Sequence, residues 1–515
     1  MKPAKPHKAR SVQSYIDETP FWNDGTSVSE SVITSMQKRI WMLATAGKFF
    51  EGMVVFMTGV AIPLLHQNFG LSAAEKGIVG AAPLFGILIG ATVLGGLADK
   101  FGRKKMFIAE MALFTIFLLG VALSPSFWFF VIFLFGVGAA LGCDYPTAHV
   151  VISESIPSRA RGKLVLGAFA FQAVGALFGT VIGFFILKIY PEPDAWRWMY
   201  GSILPLGVVI VFLRFFVPES AHWLVSQHRK EDATKELHKL LGRKPLYPKE
   251  ITLKMPKKPH KDKKKGTSYA QLFSKKNRKA TILASVPWFL QDLGTYGIGI
   301  FTPTILATMI GDKSGSHNIA AIIHDDLLAA KGSAILDVLL IVGIIFAVFL
   351  VDKIGRIRLQ IFGFLGCAVG LLLAALSLNP DGSTNLFLIF AGFMIFNFMT
   401  NIGPNAMTYL LAGEVFPTKV RGKGAGFAAS FGKIGAVTTA FLFPVLLTSI
   451  GTANLLYVLI GTSIIGAGVT AWFGIETKGI NLESLDETEL EDPTTPPGSP
   501  VVEAVAMSTD PKPAS

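Results

Sequence analysis

Cysteine is almost absent from this chain: 515 residues hold two, Cys143 and Cys367. Both fall inside apolar runs, which excludes a disulfide framework. Charge is scarce as well, with 16% Asp, Glu, Lys and Arg against 51% hydrophobic residues and 52 glycines. A mean hydropathy of +0.52 is too high for an ordinary soluble protein of this length. Met1–Ser35 lacks the apolar core of a cleavable signal, so the first long apolar run is expected to direct insertion. No nucleophile–base pair, phosphate-cradling glycine loop or metal-ligand spacing appears, so the sequence assigns no catalytic residue, no metal and no cofactor.

What the chain has in quantity is apolar sequence near the length that crosses about 30 Å of hydrocarbon. The first half reads as Trp41–Leu65, Gly77–Ala98, Met106–Ser124, Phe127–Ser153, Leu164–Leu187 and Trp198–Val217. The second half reads as Ala280–Met309, Ser333–Val351, Leu359–Leu378, Leu386–Leu411, Gly424–Leu447 and Asn454–Ile475. The expected organisation is a tail (1–38), a six-helix bundle (39–217), a middle loop (218–279), a second bundle (280–475) and a tail (476–515). The last of these turns acidic and then Pro-, Thr- and Ser-rich, a composition expected to stay disordered.

Two charged cassettes each occur twice, about 250 to 260 residues apart, at the edges of these runs. Asp99-Lys100-Phe101-Gly102-Arg103 returns as Asp352-Lys353-Ile354-Gly355-Arg356. Glu154-Ser155-Ile156-Pro157, leading to Arg161-Gly162-Lys163, returns as Glu414-Val415-Phe416-Pro417, leading to Arg421-Gly422-Lys423. A duplicated helical membrane unit is the usual build of a transporter, with its site at mid-membrane between the repeats.

The cations fall on one side. Lys38, Arg39, Arg103, Lys104, Lys105, Arg159, Arg161, Lys163, Arg356, Arg358, Arg421 and Lys423 share it with the lysine run Lys257–Lys265 of the middle loop. By the positive-inside rule both termini are expected in the cytoplasm, in a plasma or inner membrane. The net charge of +12 is then an orientation signal and not a sign of nucleic-acid binding.

Gly95-Gly96-Leu97-Ala98-Asp99-Lys100-Phe101-Gly102-Arg103-Lys104 resembles the loop signature of the major facilitator superfamily. Pro218-Glu219-Ser220 and Glu476-Thr477-Lys478-Gly479 resemble its sugar-porter-like branch. The resemblance implies an all-α fold of twelve helices in two pseudo-symmetric bundles, acting as a monomer. Asp99, Arg103, Glu154, Arg161, Asp352, Arg356, Glu414 and Arg421 are then expected to be gating elements. Their acids and arginines should pair with one another and with helix ends, latching the two halves together on the cytoplasmic side.

Substrate contacts are expected from polar groups inside the membrane, where an ionisable side chain is costly. These are Lys48 and Glu51 in helix one, Asp144 and His149 in helix four, Asp292 in helix seven and Lys433 in helix eleven. Asp337, early in helix eight, is expected near the outer interface, and His149 is read as structural. Trp288, Asp292 and Tyr296 are spaced i, i+4, i+8 and so share one helix face. The repeat matches Glu51 in helix one to the Gln291-Asp292 region of helix seven, and Gln172 to Lys433.

The set resembles one subfamily, the phosphate:proton symporters, through Asp144-Tyr145-Pro146, Trp288 to Gly297, Gly403-Pro404-Asn405 and Ser430-Phe431-Gly432-Lys433. That resemblance implies phosphate binding by Tyr145, Gln172, Trp288, Asp292, Tyr296 and Lys433, and proton coupling by Glu51, Asp144 and Asp292. Helix one departs from the subfamily's aspartate-rich pattern, carrying Lys48 and then Glu51. Three carboxylates facing one ammonium would repel an anion until an acid is protonated, and that linkage is the substance of symport. An organic or aromatic anion would use the same charges in a roomier pocket. A sugar would call for Gln and Asn in place of Asp292 and Lys433, and Gly175–Gly179 lacks the proline that would mark a drug exporter.

Overall fold

A computed structural model describes residues 9–18, 33–94, 96–242, 251–255, 269–310, 319–378, 383–417 and 420–478. Among these, all regular structure is helical. The crossings are α1 (Ser35–Phe69), α2 (Ala73–Leu94), α3 (Arg103–Ala122), α4 (Phe127–Ser155), α5 (Ser158–Ile189) and α6 (Ala195–Arg214) in the first half. The second half has α7 (Arg278–Ile310), α8 (Ile319–Ile354), α9 (Arg356–Ala375), α10 (Leu386–Glu414) and the segment Arg421–Phe473. Gly451 breaks that segment with a φ of 78°, a left-handed conformation that only glycine takes freely, leaving α11 (421–450) and α12 (452–473).

Local signals place several ends. Thr34 and Gln37 form a capping box at the start of α1, and Ser72 and Glu75 form one at the start of α2. Gly70, at φ 65°, closes α1. The structure departs from expectation at α8, which starts at Ile319 and not near Ser333. Asp325, Asp326 and Lys331 lower the hydropathy of its first turns, yet helical hydrogen bonds run through them. Asp337 consequently lies mid-helix and not near an outer end.

Without a hydrophobic drive between helices in lipid, close crossings depend on small residues. The repeat uses the same device twice. A Cβ on Gly175 of α5 would sit 1.9 Å from the carbonyl oxygen of Phe49 in α1, and one on Gly435 of α11 would sit 2.5 Å from that of Phe289 in α7. Between the halves, Gly59 meets the Ile300 carbonyl and Gly77 the Phe441 carbonyl in the same manner, at 2.1 and 2.2 Å from an added Cβ. These contacts seal the face opposite the basic loops. Gly175→Val should force α1 and α5 apart at a cost of about 1–3 kcal/mol or more. The expected result is a lowered melting temperature and loss of monodisperse protein in detergent, while Gly162→Val, in open space, should be silent.

The basic-loop side is more ordered than a bare tail and linker. Val12–Ile16, Ala221–Ser226 and Lys230–Leu241 are short helices whose Tyr15, Ile16, Leu224, Leu237 and Leu241 form a small buried layer with Leu253. Thr34 donates to the Leu240 carbonyl at 2.8 Å, tying that layer to the start of α1. The lysine run Lys257–Lys265, Thr418, and the tail beyond Lys478 lie outside the described residues.

Candidate functional site: a charged cavity between the bundles

Glu51 is the hub. One turn apart on α1, Lys48 and Glu51 share a face, and Lys48 Nζ lies 2.6 Å from Glu51 Oε2. From the other half, Lys433 Nζ of α11 reaches Glu51 Oε1 at 2.9 Å. The Tyr296 hydroxyl of α7 donates to the same oxygen at 3.1 Å and accepts from Lys433 at 2.5 Å and from Gln172 Nε2 of α5 at 2.9 Å. Four helices, two from each half, therefore meet on one buried carboxylate.

A cavity of about 720 Å³ lies beside this hub. Tyr145, Gln172, Trp288, Asp292, Tyr296 and Lys433 all line it, with Lys48, Asn405 and Ser430. Asp292 is buried and its Oδ2 has no hydrogen-bond partner among the described residues. Toward the basic loops the wall is aromatic. Tyr409 of α10 stacks on Phe169 of α5 at 4.5 Å and meets the edges of Trp288 and Tyr145 at 6.3 and 6.4 Å. Lys48 Nζ stands 4.2 Å above the Tyr145 ring. On the far side Phe301 and Phe443 stack at 5.0 Å.

The charge pattern differs from three acids facing one ammonium. Glu51 has two ammonium partners, and Asp144 has its own cation. Arg214, near the end of α6 and fully buried, pairs with Asp144 Oδ1. Its guanidinium also donates to the carbonyl oxygens of Phe107 at 2.5 Å and Leu43 at 3.0 Å, and lies over the Phe107 ring. Neither His149 nor Lys48 forms an ion pair or hydrogen bond with Asp144 among the described residues. Asp144 faces a smaller chamber that it shares with Lys48, Glu51 and His149, and it is not on the wall of the main cavity. Glu110 of α3 is buried nearby and accepts from Thr147 at 2.8 Å and Cys143 at 3.0 Å. Arg214 and Glu110 are absent from the sequence-derived set, although each lies inside an apolar run where an ionisable residue is a signal.

Among the described residues Arg103 and Arg356 each pair within their own half, where the expectation was a latch between halves. Arg103 binds Asp99 at 2.8 Å and Glu154 at 3.1 Å, and Ser220 beyond α6 donates to Glu154 at 2.5 Å. Arg356 binds Asp352 at 3.0 Å and Glu414 at 3.2 Å, and Thr477 beyond α12 donates to Glu414 at 2.6 Å. Arg421 Nε donates to the Phe416 carbonyl at 3.0 Å, and Arg161 lies in the first turn of α5. The repeat thus pairs Arg103 and Arg356 in the same way, each inside its own bundle. The physical reason is reach: each arginine begins a helix whose neighbour in its own bundle ends with the acid.

The sequence model of the family described as "Sugar (and other) transporter" matches residues 35–488. The chain belongs to this family. Its members are transporters of the sugar-porter-like branch of the major facilitator superfamily. The "Inner membrane metabolite transport protein YgcS" of Escherichia coli (strain K12) is 30% identical over 454 residues, covering 86% of this chain and 92% of its own. The "Probable inorganic phosphate transporter 1-6" of Arabidopsis thaliana is 28% identical over 463 residues, covering 82% and 85%. In fold the chain is similar to the xylose transporter XylE from E. coli in a partially occluded inward-open conformation. That match has a TM-score of 0.69 at 20% identity and covers 87% of this chain and all of that one.

Proposed function

We propose that this transporter carries a small oxyanion, inorganic phosphate first, together with a proton, by alternating access around the Glu51–Lys433 hub. The observation that supports this reading is a single carboxylate held by two lysines from opposite bundles at the centre of the fold. Glu51 acts as an internal counter-ion. An arriving anion competes with it for Lys433 and Lys48, and the displaced carboxyl takes up a proton. Anion and proton then favour each other's binding, which is coupling in the thermodynamic sense. Gln172, Trp288 and Tyr296 offer neutral donors to anion oxygens, and Asp292 is a second acid on the same wall. Asp144, held by Arg214, we assign to the organisation of the first bundle and to the smaller chamber. We take the basic-loop side as cytoplasmic, with both termini there.

A second reading, an organic anion with an aromatic or apolar body, has its own support. Tyr145, Phe169 and Trp288, with Ile87 and Leu88, present far more apolar surface than phosphate needs. Uptake of labelled phosphate into reconstituted vesicles, with and without an inward proton gradient and competed by sulfate, benzoate and glucose, separates the readings. Affinity for the transported anion should fall as pH rises, because the ionised Glu51 holds both lysines. Glu51→Gln should flatten that dependence and abolish accumulation driven by the proton gradient while keeping downhill exchange. Unchanged pH dependence in Glu51→Gln would exclude coupling through this acid.

A further inference from the structure

α8 carries a line of buried polar groups that the central hub does not use. Asp326, Ser333 and Asp337 are spaced i, i+7, i+11, which places them on one helix face over about 16 Å of depth. They are 1%, 2% and 4% exposed. Among the described residues, both carboxylate oxygens of Asp326 and the Ser333 hydroxyl lack any hydrogen-bond partner. Asp326 lines a cavity of about 700 Å³ on the face away from the basic loops, together with His66, Lys76, Thr304 and Asp325. At the inner end, Asp337 Oδ2 accepts one hydrogen bond, from Thr180 of α5 at 3.0 Å. Thr180 belongs to the other bundle, so this bond crosses the seam that seals the outer side.

The surroundings of Asp337 decide its charge state. The elements packed on α8 are α1, α5, α7, α9 and α10. Their ionisable groups are Lys38, Arg39, Lys48, Glu51 and His66 on α1, Arg159, Arg161, Lys163 and Lys188 on α5, Arg278, Lys279, Asp292 and Tyr296 on α7, Arg356, Arg358 and Cys367 on α9, and Tyr409 and Glu414 on α10. None of these forms an ion pair or hydrogen bond with Asp337 among the described residues. A single hydroxyl donor does not compensate a carboxylate taken out of water, whereas a neutral acid fits a dry seam. Once the bundles part on that side, water reaches the carboxyl and the proton can leave.

We infer that Asp337 is a proton-binding position that ties protonation to closure of the seam between the bundles, reached from the outer cavity along the Asp326–Ser333 face of α8. This deepens the reading of the chain as a proton-coupled transporter and rests on it. Protonated Asp337 favours the sealed seam. Ionised Asp337 favours the form open on that side.

The test needs no substrate. Thr304→Cys places a thiol in the outer cavity, and labelling by a membrane-impermeant maleimide in vesicles reports opening. The same labelling in Thr304→Cys with Asp337→Asn serves as reference at each pH, so the thiol's own titration cancels in the ratio. Between pH 5.5 and pH 8 the ratio should rise on the order of tenfold, as one linked proton allows. A ratio that stays constant overturns the inference. Thr180→Val keeps the acid and removes only the crossing bond, so it should raise labelling at both pH values while keeping the rise toward pH 8, which belongs to the carboxyl. Equal labelling with and without Thr180 at both pH values also overturns it. Since no anion is present, a pH-dependent ratio in a protein that ignores phosphate would leave this inference standing and sink only the phosphate reading.

Discussion

Lys433→Ala should weaken anion binding by more than two orders of magnitude and stop uptake, while leaving the protein folded. A unit charge about 5 Å from the anion, at an effective dielectric near 20, interacts by roughly 3 kcal/mol, which is over two decades in affinity. The fold should tolerate the change because Glu51 keeps Lys48 and the Tyr296 hydroxyl when Lys433 is removed. Lys433→Arg should also be impaired. A planar guanidinium cannot place one point charge on both Glu51 and the Tyr296 hydroxyl as the ammonium does. Equilibrium binding of labelled phosphate to the purified variants, beside a thermal melt, is the measurement. Normal affinity in Lys433→Ala would overturn the anion assignment.

Arg214→Met should be the most destabilising single change outside the cavity. It leaves Asp144 buried without its cation, and breaking a buried pair by removing one partner costs about 3–5 kcal/mol. The carbonyl oxygens of Phe107 and Leu43 lose their donors at the same time. The expected outcome is little monodisperse protein at growth temperature and a large drop in melting temperature. Arg214→Met combined with Asp144→Leu should recover most of that loss, because two apolar side chains can replace a buried pair at little cost. Asp144→Asn should be milder than Arg214→Met, since its amide oxygen still accepts from Arg214. A melting temperature unchanged in Arg214→Met would show that the pair contributes nothing to the bundle.

Much of this protein is written along one dimension. Membrane crossing depends on local hydropathy and length, so eleven of the twelve spans lie close to where the apolar runs put them. The exception, α8, includes acids in its first turns that no hydropathy window tolerates, although a helix buried among neighbours does. The repeat is also linear information, and it carries through to paired details such as Gly175 against Phe49 and Gly435 against Phe289. Tyr145, Gln172, Trp288, Asp292, Tyr296 and Lys433 could be singled out because polar groups are rare and expensive at that depth.

Which of those groups touch is another matter. Glu51 and Lys433 are 382 positions apart, and Arg214 is 70 from Asp144. Only the packing of α1 on α5, α7 on α11 and one bundle on the other sets these distances. Tertiary structure alone therefore turned three acids and one lysine into a carboxylate shared by two lysines and a separate Asp144–Arg214 pair. It likewise paired Arg103 with Glu154 and Arg356 with Glu414 inside their own bundles and placed Asp337 on the seam. Charge and hydropathy belong to residues and can be read one at a time, whereas an ion pair belongs to the space between helices.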